Sequence, residues 1–259
     1  MTETPNLPPG TPSWTDLGAP DPAASANFYS ALFGWHAEDL GPDAGHYRMC
    51  SIEGLNVAGI GPLMGEGQPP AWTTYVNVAD AEATAASVTA AGGVVLAGPM
   101  DVMDKGRMAI VADPAGAVLG LWQPGAHPGA DLVNEPGSLV WNELTTADTG
   151  RAAAFYTEVF GWGAETHRMG DVAAYTEWQL EGRSVGGMLE PPPGAPPGMP
   201  PSWLVYFAVG DCDQAVATAS ALGATVLRAP VDIPPGRMAV LADPAGAVFA
   251  VLALAAPVA

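Results

Sequence analysis

The sequence predicts an α+β protein of two tandem domains, each built from two βαβββ units whose curved mixed sheet surrounds a cavity. Three observations carry this. The chain repeats itself: Trp14-Thr-Asp-Leu, Phe28-Tyr29 and Phe33-Gly34-Trp35 return as Trp141-Asn-Glu-Leu, Phe155-Tyr156 and Phe160-Gly161-Trp162. Gly106-Arg-Met-Ala and Asp113-Pro-Ala-Gly-Ala-Val118 return as Gly236-Arg-Met-Ala and Asp243-Pro-Ala-Gly-Ala-Val248, so the offset grows from 141 − 14 = 127 to 243 − 113 = 130. A repeat this long signals duplicated domains and not a solenoid unit. Within each half, a strand pattern, a capped helix and further strands occur twice. The length of 259 residues suits two domains of roughly 100–200 residues each, and an apolar share of 49% is enough for two cores.

Residues 1–10 are rich in Pro and Thr and are expected to be disordered. The first domain spans 11–124. Ser13–Leu17 is a short strand. Asp21 caps a helix with Pro22 at its first position, and the helix stops near Gly34. Tyr47–Ile52 and Leu55–Ile60 are strands around a turn at Glu53-Gly54. After the loop Gly65–Ala71 the pattern restarts with strand Trp72–Val78, a helix from Asp80 to Ala91, and strands Val94–Leu96, Arg107–Ala112 and Val118–Trp122. Asp113-Pro-Ala-Gly116 is the hairpin turn between the last two.

Residues 125–136 form a linker, and 137–254 form the second domain. It repeats the order: strand Leu139–Leu144, a helix from Asp148, strands Ala173–Leu180 and Ser184–Met188, strand Trp203–Val209, a helix from Asp211 and three more strands. Pro191–Pro201 carries so many prolines that a stiff polyproline spacer is expected, with a lid or partner motif as the alternative.

The net charge is −19 and the single lysine is Lys105, which argues against nucleic acid and anionic membranes as partners. Cys50 and Cys212 fall at unmatched places, so no repeated disulfide or metal framework exists and two free thiols are expected. No signal-peptide pattern opens the chain and no apolar run approaches the ~20 residues of a membrane helix, so the expected location is the cytoplasm.

The paired phrases Asp21…Phe28-Tyr29…Phe33-Gly34 and Asp148…Phe155-Tyr156…Phe160-Gly161, with the two Asp-Pro-Ala-Gly hairpins, resemble the vicinal oxygen chelate superfamily of glyoxalase I, bleomycin-resistance proteins and extradiol dioxygenases. The Trp-x-(Asp/Glu)-Leu opening is similar to two-domain glyoxalase-like proteins of actinobacterial "hydroxylase" type. The resemblance implies cupped sheets and, in metal-using members, ligands at Trp14, Thr73 and Gly120 in the first domain and Trp141, Leu204 and Ala250 in the second. A one-residue slip brings in Thr15, Trp72, Leu119 or Leu121 instead. A divalent ion needs imidazole or carboxylate donors, which none of these offers. His36, His46, His127 and His167 are unmatched between the repeats and are expected to be solvated or locally bonded surface histidines. We therefore expect no metal and no other cofactor.

Strand alternation puts Asp16 on the face of Trp14 and Glu143 on that of Trp141. A carboxylate buried beside indole is a candidate general acid/base. The alternative is a structural carboxylate paired with backbone amides or with an arginine, for which Arg107 and Arg237 are the natural partners. Thr73, Tyr75 and Asn77 share one face, as do Leu204 and Tyr206, and Gly120 with Trp122. The candidate catalytic set is Asp16, Glu143, Tyr75 and Tyr206. Small residues at 120 and 250 are expected to enlarge the cup. Met64, Met108, Met188 and Met238 are expected near its rim, with plain core packing as their alternative.

These features suggest a metal-independent protein of secondary metabolism that binds a small apolar or aromatic molecule and moves protons in a cyclisation, elimination, isomerisation or cofactor-free oxygenation. Two alternatives stand beside it: a non-catalytic antibiotic-binding or resistance protein, and a metal-dependent lyase or dioxygenase with relocated ligands. Since the fusion supplies a pseudo-twofold partner internally, a monomer or weak homodimer is expected.

Overall fold

A computed structural model describes residues 7–65, 67–169, 173–196 and 198–255. The first domain contains β1 (Pro12–Ala19), α1 (Pro22–Phe33), β2 (His36–Asp39), β3 (Arg48–Ile52), β4 (Leu55–Pro62), β5 (Ala71–Asn77), α2 (Ala81–Ala90), β6 (Val94–Val102), β7 (Gly106–Ala112) and β8 (Val118–Pro124). The second contains β9 (Leu139–Thr145), α3 (Thr149–Phe160), β10 (Gly163–Met169), β11 (Ala173–Leu180), β12 (Arg183–Leu189), β13 (Ser202–Ala208), α4 (Cys212–Ala221), β14 (Thr225–Ile233), β15 (Gly236–Ala242) and β16 (Val248–Leu254).

Each domain forms one eight-stranded sheet, ordered β2-β3-β4-β1-β5-β8-β7-β6 and β10-β11-β12-β9-β13-β16-β15-β14. β1 and β5 run antiparallel at the centre, flanked by parallel β4 and β8. The sequence reading missed β2 and β10. β2 is an exposed polar edge strand, His36-Ala-Glu-Asp, with no apolar alternation to betray it. β6 also runs to nine residues, with two register shifts.

Local chemistry sets the helix ends as expected. Asp21 accepts hydrogen bonds from the Ala23 and Ala24 amides, both at 3.0 Å, and Gly34 closes α1 in the left-handed conformation at φ 75°. Asp80, Asp148 and Asp211 cap the other three helices.

The two sheets turn their helix-bearing faces toward each other. α1 lies beside α4 and α2 beside α3, while β5 meets β13 between them. One core joins Leu17, Tyr29 and Trp35 of the first domain to Phe207, Leu241 and Phe249 of the second, and a second core makes the reciprocal union. Each fully buried apolar side chain there contributes roughly 1.5–3 kcal/mol. The polar bonds across this interface also come in matched pairs. Trp72 Nε1 donates to Tyr29 Oη (2.9 Å), which donates to Asp243 Oδ2 (3.1 Å); Trp203, Tyr156 and Asp113 repeat the relay at 3.0 and 3.1 Å. The hairpin aspartate of each domain thus organises its own turn amides with one oxygen and anchors the other domain with the second.

Two expectations need correction. Residues 7–10 are tied down: the Gly10 amide donates to Asn77 O at 2.7 Å, and Asn77 Nδ2 donates to Leu7 O. Residues 1–6, also expected to be disordered, lie outside the described residues. The Pro191–Pro201 stretch is bent by turn bonds from Ala195 to Pro192 and from Met199 to Pro196, so it is no straight polyproline rod; Pro197 lies outside the described residues. Cys50 and Cys212 are free and buried. No described helix is long and apolar enough to cross a membrane.

Candidate functional site: two outward cups

With the helix faces buried between the domains, the opposite faces of the two sheets form separate cups. In the first, Trp14 Nε1 donates to Tyr47 Oη at 3.1 Å, and Tyr47 Oη donates to Asp16 Oδ2 at 3.4 Å. Tyr75 lies close enough to the same carboxylate to favour its charged form. The second cup carries the matching residues, with the short carboxylate bond made by the other tyrosine. Trp141 Nε1 donates to Tyr175 Oη at 2.8 Å, Tyr206 Oη donates to Glu143 Oε1 at 2.7 Å, and Tyr175 also reaches Glu143.

Burial governs the electrostatics of both. Desolvation raises Asp16 to about 7, against the opposing effect of Tyr75 and Tyr47. Desolvation likewise raises Glu143, opposed by Tyr206, Tyr175 and the charge of Arg228. The four tyrosines are all pushed upward, first by burial and then by their carboxylate, so they remain protonated donors.

The structure gathers Trp14, Asp16, Tyr75, Met108, Gly120 and Trp122 in the first cup, and Trp141, Glu143, Leu204, Tyr206, Met238 and Ala250 in the second. Thr73 faces Asp16 across the central strand pair, as Leu204 faces Glu143. Asn77 is buried at the inner end of β5 and holds the N-terminal segment through Leu7. Four residues fall elsewhere. Met64 is 61% exposed beyond β4. Met188 packs on the helix side, because Gly187 beside it faces the cup under Tyr175. Arg107 pairs with Glu82 and Asp101, and Arg237 with Asp213 and Asp232, so neither meets a cup carboxylate. Gly120 also fails to enlarge the first cup: a Cβ there would lie 2.1 Å from the Tyr75 ring, which occupies that space.

Sequence reasoning missed Tyr47 and Tyr175, although their offset of 175 − 47 = 128 fits the repeat. It also missed Arg228, which has no counterpart in the first domain, and it misplaced His127. His127 is half-buried and packs edge-on against Trp14 (centroids 4.5 Å apart) and Trp122 (5.7 Å). Trp122 Nε1 donates to its carbonyl at 2.9 Å. Ala130 and Val133 follow it into the first cup, so the connector between the domains fills that cup. In the second cup every clustered apolar residue among the described residues belongs to the domain's own strands, and Trp141 and Leu204 keep part of their surface exposed.

The positions that the resemblance assigns to a metal do not fit one. In the first cup they present an indole, a hydroxyl and bare backbone beneath a tyrosine ring; in the second they present an indole and two aliphatic groups. Among the described residues no three His, Cys, Asp or Glu side chains converge. Two surface hollows lie outside the cups. One of about 480 Å³ sits between α1, the connector and α4, and one of about 170 Å³ between α3 and β10–β12, each with one acidic residue, Asp211 and Glu190.

Comparison with known proteins agrees with this architecture. Residues 11–121 match the model of the glyoxalase/bleomycin resistance protein/dioxygenase superfamily, and residues 140–252 match a glyoxalase-like domain. The chain is 45% identical over 252 residues to the protein CFP32 of Mycobacterium tuberculosis, covering 94% of both chains. It is 42% identical over 262 residues to the anthracycline biosynthesis protein DauV of Streptomyces sp. strain C5, covering 95% of this chain and 94% of that one. Among solved structures, the 2,3-dioxygenase LapB from Pseudomonas sp. KL28 shares the fold at a TM-score of 0.66 and 13% identity, covering 95% of this chain and 93% of that one. The Mn(II)-bound glyoxalase from Novosphingobium aromaticivorans does so at 0.63 and 17%, covering 95% and 82%. The chain belongs to the glyoxalase/bleomycin resistance protein/dioxygenase superfamily, as a tandem pair of glyoxalase-like domains.

Proposed function

We propose that the protein binds a small apolar or aromatic metabolite in its second cup and rearranges it by acid/base chemistry, with no resident metal. One observation carries the reading: Glu143 is 9% exposed, lies 2.7 Å from Tyr206 Oη, and has no cationic side chain within 4 Å among the described residues. Its carboxyl therefore titrates above the ordinary range, where a general base is most effective. The carboxylate takes a proton from an acidic C–H or O–H of the ligand and returns it to another atom of the same molecule. This proton balance suits an isomerisation or cyclisation and needs no co-reactant. Tyr206 and Tyr175 steady the carboxylate, and Trp141 with Leu204 offers the apolar seat. The kinship with DauV supports a flat secondary metabolite as ligand. With the helix faces buried inside one chain, we expect the working particle to be a monomer or weak homodimer.

Native mass spectrometry of protein from its own host identifies the bound compound, which is then returned to wild type, Glu143→Gln and Asp16→Asn. The expected result is conversion by wild type, a loss of about 10²–10⁴-fold in Glu143→Gln, and a change of a few-fold at most in Asp16→Asn. Full turnover in Glu143→Gln sinks the assignment of the base. Recovery of the compound unchanged from wild type makes the protein a binder only.

A further inference from the structure

β14 forms the outer edge of the second sheet, and Arg228 sits on it in register with Val240. Val240 belongs to the apolar lining of the second cup, and residues directly opposite across antiparallel strands share a face. Arg228 therefore rises from the cup side of the edge strand, exposed. At the matching place in the first domain, Ala97 stands opposite Ile110. The guanidinium is peculiar to the second cup.

Its lack of an ion-pair partner among the described residues is shared with Arg151 and Arg183, so what sets Arg228 apart is its place on the cup side of the sheet. Arg48 is held by Asp39, Arg107 by Glu82 and Asp101, and Arg237 by Asp213 and Asp232. No described carboxylate lies within 4 Å of Arg228, although the chain carries 27 acidic residues against 8 basic ones. Arg228 is nonetheless close enough to Glu143 and Tyr206 for its charge to lower both groups' affinity for protons. A chain of this charge repels anions in general, so an unpaired planar cation at the cup mouth is placed to receive one.

We propose that the second cup takes a planar apolar acid, whose rings lie on Trp141 and Leu204, whose carboxylate is received by Arg228, and whose exchanging proton is presented to Glu143. This rests on the acid/base reading of that cup and names its ligand class. Arg228 is a positioning residue in this arrangement.

The test uses 2-naphthoate and its neutral counterpart 2-naphthamide, titrated into the full chain while the Trp141 indole N–H is followed by ¹⁵N NMR. Naphthoate is expected to bind about tenfold more tightly than naphthamide. Arg228→Ala should remove that preference and leave naphthamide unchanged, and Arg228→Lys should keep part of it. Matching thermal melts check that the exposed substitutions leave the fold intact. Equal affinity for the two probes in wild type, an undiminished preference in Arg228→Ala, or no shift at Trp141 with either probe overturns the proposal. Glu143→Gln should retain the naphthoate preference, so failure of the base assignment in turnover is read separately from failure here.

Discussion

The two cups share a polar motif and differ in packing. Trp14–Tyr47–Asp16–Tyr75 and Trp141–Tyr175–Glu143–Tyr206 are matching sets of residues around a shielded carboxylate. In the first, Gly120 lets Tyr75 lie down on the neighbouring strand, the aspartate is bonded at 3.4 Å by Tyr47 and not by Tyr75, and the connector packs into the remaining space. In the second, Ala250 carries the methyl group that Gly120 lacks, so Tyr206 cannot take the corresponding position. There the glutamate takes its short bond, 2.7 Å, from Tyr206. Duplication kept these residues, and a few substitutions turned one copy toward structure and left the other partly open.

Truncating the two indoles tests this contrast with the largest expected effect. Trp14 is 4% exposed and packed by His127, so Trp14→Ala should cost about 3–5 kcal/mol in urea denaturation. Trp141 is only half-buried, and Trp141→Ala should cost about half as much. Equal losses would remove the distinction between a filled cup and an open one.

The small residue beneath each tyrosine gives a second test. Gly120→Ala forces the Tyr75 ring off the strand and should cost about 1–3 kcal/mol. Ala250→Gly introduces no clash and should cost about 1 kcal/mol. A neutral Gly120→Ala would mean that the ring moves freely and the first cup is not closed by it.

The shielded carboxyls also make stability depend on pH. Asp16 in the folded chain holds its proton up to about 7, against an ordinary value of 3.8. Between those values the folded state binds more protons than the unfolded one, so this contribution to stability falls as pH rises and is fully lost above about 7. Asp16→Asn should therefore be more stable than wild type at pH 8, by about 1–2 kcal/mol after allowance for its partial exposure, and equal to it near pH 4. Glu143→Gln should shift stability in the same direction. Thermal melts across this range check both, and a wild type that gains stability relative to Asp16→Asn on going from pH 4 to 8 contradicts the assigned burial.

Much of this was legible in the chain because the relevant signals are local or repeated. Asp21-Pro22 and Gly34 fix α1 by capping and left-handed backbone, and period-two alternation put Asp16 beside Trp14 and Glu143 beside Trp141. What escaped depends on contacts between distant segments. The side on which Met188 lies follows from the pairing of Gly187 with Glu143 and from the Tyr175 ring above it, which no pattern within β12 reveals. The partners of Arg107 and Arg237 are carboxylates on nearby surface elements, which compete successfully with a desolvated one inside the cup. His127 lies in a stretch of Gly and Pro that has the composition of a free linker, and only the Trp14–Trp122 surface gives it a place.

That histidine provides the smallest and most specific test of the filled cup. Its Nε2 is buried without a hydrogen-bond partner among the described residues, while its ring edge packs on two indoles. Burial lowers its affinity for a proton, with Asp131 opposing and Lys105 reinforcing the effect. A phenyl ring keeps the edge-on packing and removes the unpaired nitrogen, so His127→Phe should be neutral or stabilising by up to about 1 kcal/mol at pH 8. The sign at lower pH follows from linkage. As pH falls through about 6.5, the unfolded chain takes up a proton that the folded chain refuses, so wild type loses stability there and the phenylalanine variant does not. The variant's advantage should therefore grow on going from pH 8 to pH 5.5. If instead it stays constant or shrinks, the imidazole is charged in the folded protein, and the connector is resting at the mouth of the first cup and not filling it.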